Sequence, residues 1–365
     1  MPRIRLRRLI VIVVFGTLAV YAIGIFSSLA YVIYNRKDFL FGRIQVNAQR
    51  NKYIEERQPP PDFREHIGSS DRFDRQRKTQ FVNSTTTEID ADKWMSLMDE
   101  KMLVRKQLLT GICGNRYNRY RVKIKTLAEK PRQQLRALIV NDQNRFLYSI
   151  AYKVGSTNWE RIIVEMAGYK NVPNQQLYKH NALKWTGKLT NKEVIERLHN
   201  YTKFIFVRNP FSRILSAYKD KFVDHHFPSF NSIGRTIIKK YRKSRFNVSE
   251  IDGTDVSFQE FVDYLTDGHY TANVHWTPIH IQNCPCEIDF DYIGKLEDAN
   301  DDIKYVLMKI GIWGKAYYHK AFTDPASEKL RIKTYYSSLT RESIAQLYRI
   351  YEPDFLLFGY NLPEM

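Results

Sequence analysis

Cysteine is scarce in this chain: Cys113, Cys284 and Cys286 are the only three among 365 residues. A disulfide-dense scaffold is excluded. In an oxidising compartment the three leave room for one disulfide, most simply Cys113 with one of the other two, and one free thiol. Cys284-Pro285-Cys286 lacks the two-residue spacer of a zinc knuckle, and no second Cys or His pair stands at ligand spacing, so no metal site is expected. Acidic residues are in deficit too, 39 against 57 Lys and Arg, for a formal charge of +18. Such an excess suits an acidic partner: nucleic acid, anionic lipid or an anionic polysaccharide. There is no internal repeat, and an apolar content of 43% excludes a wholly disordered chain.

Charge is missing altogether from Leu9 to Tyr34. As a helix this run reaches about 39 Å, enough to cross a bilayer with some tilt. The apolar run continues past the small-residue stretch Ser27-Ser28-Leu29-Ala30, so an uncleaved anchor is expected rather than a signal peptide. Arg3, Arg5, Arg7 and Arg8 precede it, whereas Arg36 and Lys37 after it are balanced by Asp38, which keeps the N-terminus cytosolic. The expected organisation is a cytosolic tail (1–8), a transmembrane anchor (9–34), a luminal stem (35–90) and a luminal domain (91–365). The stem is polar, interrupted by Pro59-Pro60-Pro61 and Thr85-Thr86-Thr87, and has no sustained period. In the lumen nucleic acid is no longer an expected partner, and the sequons at Asn83, Asn200 and Asn247 become candidate glycosylation sites.

Helical spacing of Trp94, Leu97, Met98 and Met102 predicts a first helix over Ala91 to Thr110. Then strand and helix alternate: Phe146 to Tyr152 into Asn158 to Met166, Thr202 to Arg208 into Pro210 to Phe222, and Phe290 to Leu296 into Asp298 to Ile310 with Asp298 as N-cap. This pattern predicts an α/β fold, a parallel sheet flanked by helices. A last helix runs from Thr340 to Tyr351 and stops before Pro353.

Two strand-to-helix junctions carry chemistry. In Lys153-Val154-Gly155-Ser156-Thr157-Asn158-Trp159, Gly155 permits close backbone approach, a helix N-terminus offers free amides, and Lys153, Ser156 and Thr157 add a cation and hydroxyls. The loop is no nucleoside-triphosphate P-loop, because the second Gly and the Lys before Ser or Thr are absent. In Arg208-Asn209-Pro210-Phe211-Ser212-Arg213-Ile214-Leu215-Ser216, Arg208 ends a strand, Pro210 suits the first helical turn and Ser216 lies two turns on, so Arg208 and Ser216 can grip a second phosphate. Two anion sites at the carboxyl ends of neighbouring parallel strands fit a ligand with phosphates at two places.

These segments, with RNPFSRILSAYKDKF, His275-Trp276, Cys284-Pro285-Cys286, the run Asp291 to Glu297 and the closing Leu347-Tyr348…Tyr351-Glu352-Pro353-Asp354-Phe355…Phe358-Gly359-Tyr360, resemble the HNK-1-type carbohydrate sulfotransferases from about Cys113 to Tyr360. Within that family the chain is most similar to the chondroitin and dermatan 4-O-sulfotransferases, Golgi type II membrane proteins. The resemblance implies 3′-phosphoadenylyl sulfate (PAPS) as donor and position 4 of N-acetylgalactosamine in a chondroitin-like glycosaminoglycan as acceptor. Tyr152, Lys153, Val154, Gly155, Ser156, Thr157 and Asn158 match the 5′-phosphosulfate loop. Arg208 through Ser216, including Asn209, Pro210, Phe211, Ser212, Arg213, Ile214 and Leu215, match the 3′-phosphate element. The family loop usually has cysteines where this chain has Ser149 and Ser156, and proline where it has Tyr152. Lys153 is expected to stabilise the leaving oxygen and His275 to take the acceptor proton, with His225 and His226 as alternatives. The basic runs Arg116 to Arg136 and Lys239 to Arg245 are expected to hold acceptor carboxylates or to be solvated faces. Two competing readings are a glycosyltransferase using Asp289-Phe290-Asp291 for a metal, and a membrane-anchored lectin for acidic glycans.

Overall fold

A computed structural model describes residues 84–115, 138–224, 228–242, 251–315 and 325–363. Within them the chain forms α1 (Ser84–Asn115), β1 (Leu138–Asn141), β2 (Phe146–Ser149), α2 (Ser156–Met166), β3 (Lys184–Trp185), α3 (Asn191–Asn200), β4 (Thr202–Val207), α4 (Pro210–Tyr218), α5 (Asn231–Tyr241), α6 (Phe258–Thr266), β5 (Tyr292–Lys295), α7 (Ala299–Lys309), α8 (Pro325–Tyr336) and α9 (Arg341–Leu357). Among the described residues no helix is long and apolar enough to cross a membrane. The expected anchor at Leu9 to Tyr34 lies outside them, as do most of the expected stem, Asn83, Asn247, His225, His226 and the basic run 116–136.

The strands make one sheet in the order β3-β1-β2-β4-β5. β2, β4 and β5 are parallel, with Phe146 beside Thr202 and Phe204 beside Tyr292, while β1 pairs antiparallel with β2 and β3. The expected parallel sheet is thus corrected to a mixed one. Four residues of β1 are too few to announce a strand by periodicity. A tight turn in which Asn141 Oδ1 accepts from Asn144 N at 2.7 Å folds it back onto β2.

The parallel strands are covered on both faces, which is why β2 is buried throughout and β4 at every residue but its first. Trp159 of α2 packs 4.8 Å from the Phe204 ring and 5.1 Å from the Phe206 ring. Gly294 of β5 is required by that packing, since a Cβ there would lie 2.3 Å from Phe206. A second aromatic core under α4, α6, α8 and α9 stacks Phe211 on Tyr336 at 4.7 Å and seats Trp276 at 5.4 Å from Phe261.

Several boundaries differ from the sequence expectation. α1 starts seven residues early, inside the expected stem. Asp298 sits at the α7 N-cap position without capping, because its carboxylate is held by Lys101 at 3.1 Å and Arg105 at 2.6 Å. The same two cations reach the buried Asp302 at 2.9 and 2.5 Å and so fasten α1 to α7. A disulfide between Cys113 and Cys286 makes a second fastening, and Cys284 stays outside it, its Sγ donating to Ile281 O at 3.8 Å. α9 continues through Pro353 to Leu357 instead of stopping before it. The extra turn buries Phe355 and Leu357, and Asp354 accepts from the amides of Ile279 at 2.7 Å and His280 at 2.8 Å, which together outweigh one missing helical hydrogen bond.

Candidate active site

The first junction begins where β2 ends at Ser149. Its buried hydroxyl accepts from Asn283 Nδ2 at 2.9 Å, and the same amide donates to Ile150 O at 2.9 Å. The chain then turns sharply through two left-handed residues, Lys153 (φ 68°) and Gly155 (φ 84°). For Lys153 that conformation costs on the order of 1–3 kcal/mol, a strain that tends to be retained at functional sites. No side chain caps α2: Asn158 N donates back to Gly155 O at 3.1 Å, and Ser156 and Thr157 line the cleft at the helix N-terminus, where an anion can be met. A Cβ at position 155 would approach Leu296 Cδ1 to 3.3 Å.

The second junction follows β4. Asn209 caps α4, its Oδ1 accepting from Phe211 N at 3.0 Å and Ser212 N at 3.4 Å, with Pro210 in the first turn. Arg208 donates to Lys153 O at 3.2 Å, joining the two junctions, and forms an ion pair with Glu328 of α8. Arg213, 1% exposed, donates from Nε to Tyr152 O at 2.9 Å and from Nη2 to Thr277 O at 2.8 Å. It therefore ties the Lys153 loop, α4 and the His275 segment into one unit and serves as a positioning residue.

After Tyr218 the helix widens into one π turn, Lys219–Val223, where a straight α-helix to Phe222 was expected. Such turns re-aim side chains and recur at functional sites. Here Asp220 is brought within 3.0 Å of Lys153 Nζ and 2.8 Å of Lys221 Nζ. Burial pulls the Lys153 ammonium below the usual lysine range; Asp220 opposes that, and Lys221 and Arg208 add to it.

His275 stands with its ring 5.0 Å from Tyr152 and 6.0 Å from Phe230. Burial, followed by the charges of Lys221 and Lys153, pushes its pKa down to about 3, so the imidazole is neutral near pH 7. Its Nδ1 is buried without a hydrogen-bond partner among the described residues.

These groups share a cleft of about 1390 Å³. Of the residues expected from sequence, Tyr152, Lys153, Gly155, Ser156 and Thr157 line it from the first junction, Arg208, Asn209, Ser212 and Ser216 from the second, and His275 from the third segment. Val154, Phe211, Ile214 and Leu215 turn into the core instead, at 0–3% exposure, because they form the apolar faces that seat the loop and α4. Asn158, Pro210 and Arg213 are likewise not among the lining residues. Sequence reasoning missed Glu160, Asp220, Lys221, Glu297 and Glu328, all on the cleft wall. For Asp220 and Lys221 a signal existed, since both lie within the stretch RNPFSRILSAYKDKF.

Comparison with known proteins supplies the decisive observation: the family model described as sulfotransferase family matches residues 136–361, well over half the chain and both junctions. The chain belongs to the sulfotransferase family. It is 32% identical over 296 residues to carbohydrate sulfotransferase 14 of Danio rerio, covering 79% of this chain and 78% of that protein. To carbohydrate sulfotransferase 10 of Xenopus laevis it is 33% identical, covering 73% and 80% respectively, and to carbohydrate sulfotransferase 11 of Mus musculus 32%, covering 63% and 68%. No solved structure matches. This sulfotransferase is accordingly a carbohydrate sulfotransferase, and family membership implies PAPS as sulfate donor.

The cleft suits such a donor. Lys153, Ser156 and Thr157 line it from the first junction beside the N-terminus of α2, which no side chain caps, and Arg208 and Ser216 line it from the second. The acidic pair of the glycosyltransferase reading is engaged elsewhere: Asp289 with Lys106 at 3.0 Å, and Asp291 with Lys203 at 3.2 Å. Neither lines the cleft. In the second basic run Lys240 pairs with Asp267, and Arg242 pairs with Asp255 and Glu260, so these two already have acidic partners.

Proposed function

We propose that this sulfotransferase moves a sulfuryl group from PAPS to a glycosaminoglycan hydroxyl, most specifically position 4 of N-acetylgalactosamine in chondroitin, from a single-pass type II position in the Golgi membrane. The observation that carries the donor half is the opening of the Lys153 loop and the Arg208–Ser216 element into one cleft. The acceptor half rests on the motif resemblance to 4-O-sulfotransferases and on a charge of +18, which favours a polyanionic substrate. A luminal position is supported by the uncharged run Leu9 to Tyr34 and by the Cys113–Cys286 disulfide. Asn200, exposed at the end of α3, is then open to glycosylation.

When bound, the donor supplies an activated sulfuryl group and a bisphosphate leaving group. Lys153 places positive charge where the leaving oxygen becomes anionic, and the α2 amides with Ser156 and Thr157 hold the sulfuryl oxygens. Arg208 and Ser216 fix the 3′-phosphate. Neutral His275 hydrogen-bonds the incoming hydroxyl and orients it; burial, which pushes its pKa down to about 3, makes it a weaker proton acceptor than an ordinary imidazole for the general-base role expected from sequence. The test is incubation of the purified protein with labelled PAPS and desulfated chondroitin, dermatan or a glycan without uronic acid. Label on chondroitin N-acetylgalactosamine O4 is expected. Label confined to the other glycans overturns the acceptor, and no label on any glycan overturns the cleft reading.

A further inference from the structure

Glu160 follows Ser156 by four residues on α2, one helical turn along the same face. Helical side chains lean back toward the N-terminus, so its carboxyl extends toward the end of α2 that meets the anion. It is 4% exposed, yet it is part of the cleft wall together with Tyr152, Ser156 and Tyr178. Its Oε1 is buried and has no hydrogen-bond partner among the described residues. Of the buried residues of α2, Trp159, Ile162, Ile163 and Val164 are apolar, and only Ser156 and Glu160 are polar. A buried carboxyl oxygen without a partner is costly to retain.

Such a group cannot grip the phosphosulfate of the donor, because sulfuryl and phosphate oxygens are acceptors as a carboxylate is. What it can take is the proton of a hydroxyl. Resting on the reading of this cleft as the sulfuryl-transfer site, we propose that Glu160 accepts the proton of the acceptor hydroxyl. In the balanced step the acceptor oxygen forms its bond to sulfur as the bond between sulfur and the leaving phosphate oxygen breaks. The hydroxyl proton passes to the Glu160 carboxylate, and solvent takes it when product leaves.

The surroundings agree with that role. Burial pushes the Glu160 carboxyl up to about 7, where a general base works best near neutral pH. Tyr152 shares its neighbourhood: burial and then the Glu160 charge push that phenol up to about 12, with Tyr178 adding to the effect. His275 adjoins Tyr152, and the charged groups lining the same cleft include Lys153, Lys221, Arg208, Asp220, Glu297 and Glu328. Tyr152 and neutral His275 are thus placed to orient a sugar hydroxyl toward a base that neither supplies.

The experiment compares wild type, Glu160→Gln and Glu160→Ala. Expected are a wild-type kcat/KM that falls with one-proton dependence below about pH 7, a loss of at least 100-fold in kcat for Glu160→Gln, and partial rescue of Glu160→Ala by formate (roughly the span of general-base catalysis). Calorimetric affinity for adenosine 3′,5′-bisphosphate stays equal or tightens in Glu160→Gln, because no carboxylate opposes the anion. Turnover of Glu160→Gln within about threefold of wild type overturns the proposal, as does loss of bisphosphate binding alongside activity. Should neither variant fold, a wild-type profile flat from about pH 5.5 to 8 overturns it without them. Absence of transfer by wild type to every glycan is a different failure, that of the cleft reading itself.

Discussion

Arg208 is ion-paired with Glu328 inside the cleft, so the cation matched to the 3′-phosphate element already holds a carboxylate. Burial pushes Glu328 up, but Arg208 and Arg331 outweigh it and hold the carboxyl below its usual range. A phosphate that takes Arg208 must displace Glu328, which leaves that carboxylate to Arg331, 2.8 Å away. Glu328→Gln is therefore expected to bind adenosine 3′,5′-bisphosphate several-fold more tightly by calorimetry. Arg208→Ala should weaken it by about 10- to 100-fold, the usual range for a charge-assisted contact. An unchanged affinity in both variants would detach this pair from donor binding.

Lys153 gives a pH prediction with a definite sign. It acts as a cation, and burial places its pKa below that of an ordinary lysine, so the group is active at low pH and lost as pH rises through the lowered value. An alkaline fall in kcat/KM below the ordinary lysine range is expected. In kcat the fall should move to higher pH, since bound anions favour the ammonium. Lys153→Arg, always charged, should lack the alkaline fall, and Lys153→Ala should lose about 10²- to 10³-fold in kcat. Near-normal turnover of Lys153→Ala would remove it from the chemistry.

Both junctions were legible because each is a contiguous run that names its own geometry: an apolar strand, a left-handed or proline-led turn, and an amphipathic helix. Glu328 was not, since it lies 120 residues from Arg208 and meets it only through the packing of Tyr336 on Phe211. Glu160 was hidden for a different reason. A charged residue amid Trp159, Ile162 and Ile163 reads as a solvated position until burial is known. Asp298 and Pro353 misled by obeying local rules that tertiary contacts override, the one drawn away by Lys101 and Arg105, the other carried through by the anchoring of Asp354. The antiparallel β1 escaped through its brevity.

Ser149 stands where the family loop usually has cysteine, and its hydrogen bond to Asn283 holds the strand end from which the Lys153 loop departs. Ser149→Ala leaves Asn283 Nδ2 its second acceptor, Ile150 O, so a modest loss of about 1 kcal/mol is expected by denaturant titration. Asn283→Ala removes both bonds from the buried loop and should cost more, about 1–3 kcal/mol, with donor affinity falling alongside. Equal stability of the two variants would mean that Asn283 does not hold the loop.

The Cys113–Cys286 bridge spans 173 residues and joins the end of α1 to the segment before β5. Cross-links closing long loops restrict the unfolded chain most, and removing a native one typically costs about 2–5 kcal/mol. Cys113→Ser should therefore lower thermal stability markedly, whereas Cys284→Ser, which breaks no bridge, should leave it nearly unchanged. α1 also keeps Lys101 and Arg105 on Asp302, so the Cys113→Ser protein should remain folded at low temperature and retain donor binding. Melting curves of the two variants, with and without reductant, check this: reductant should lower wild type to the Cys113→Ser value and leave Cys113→Ser where it is. A wild-type melt insensitive to reductant under conditions that expose the bridge on unfolding would mean that the ion pairs alone fasten α1.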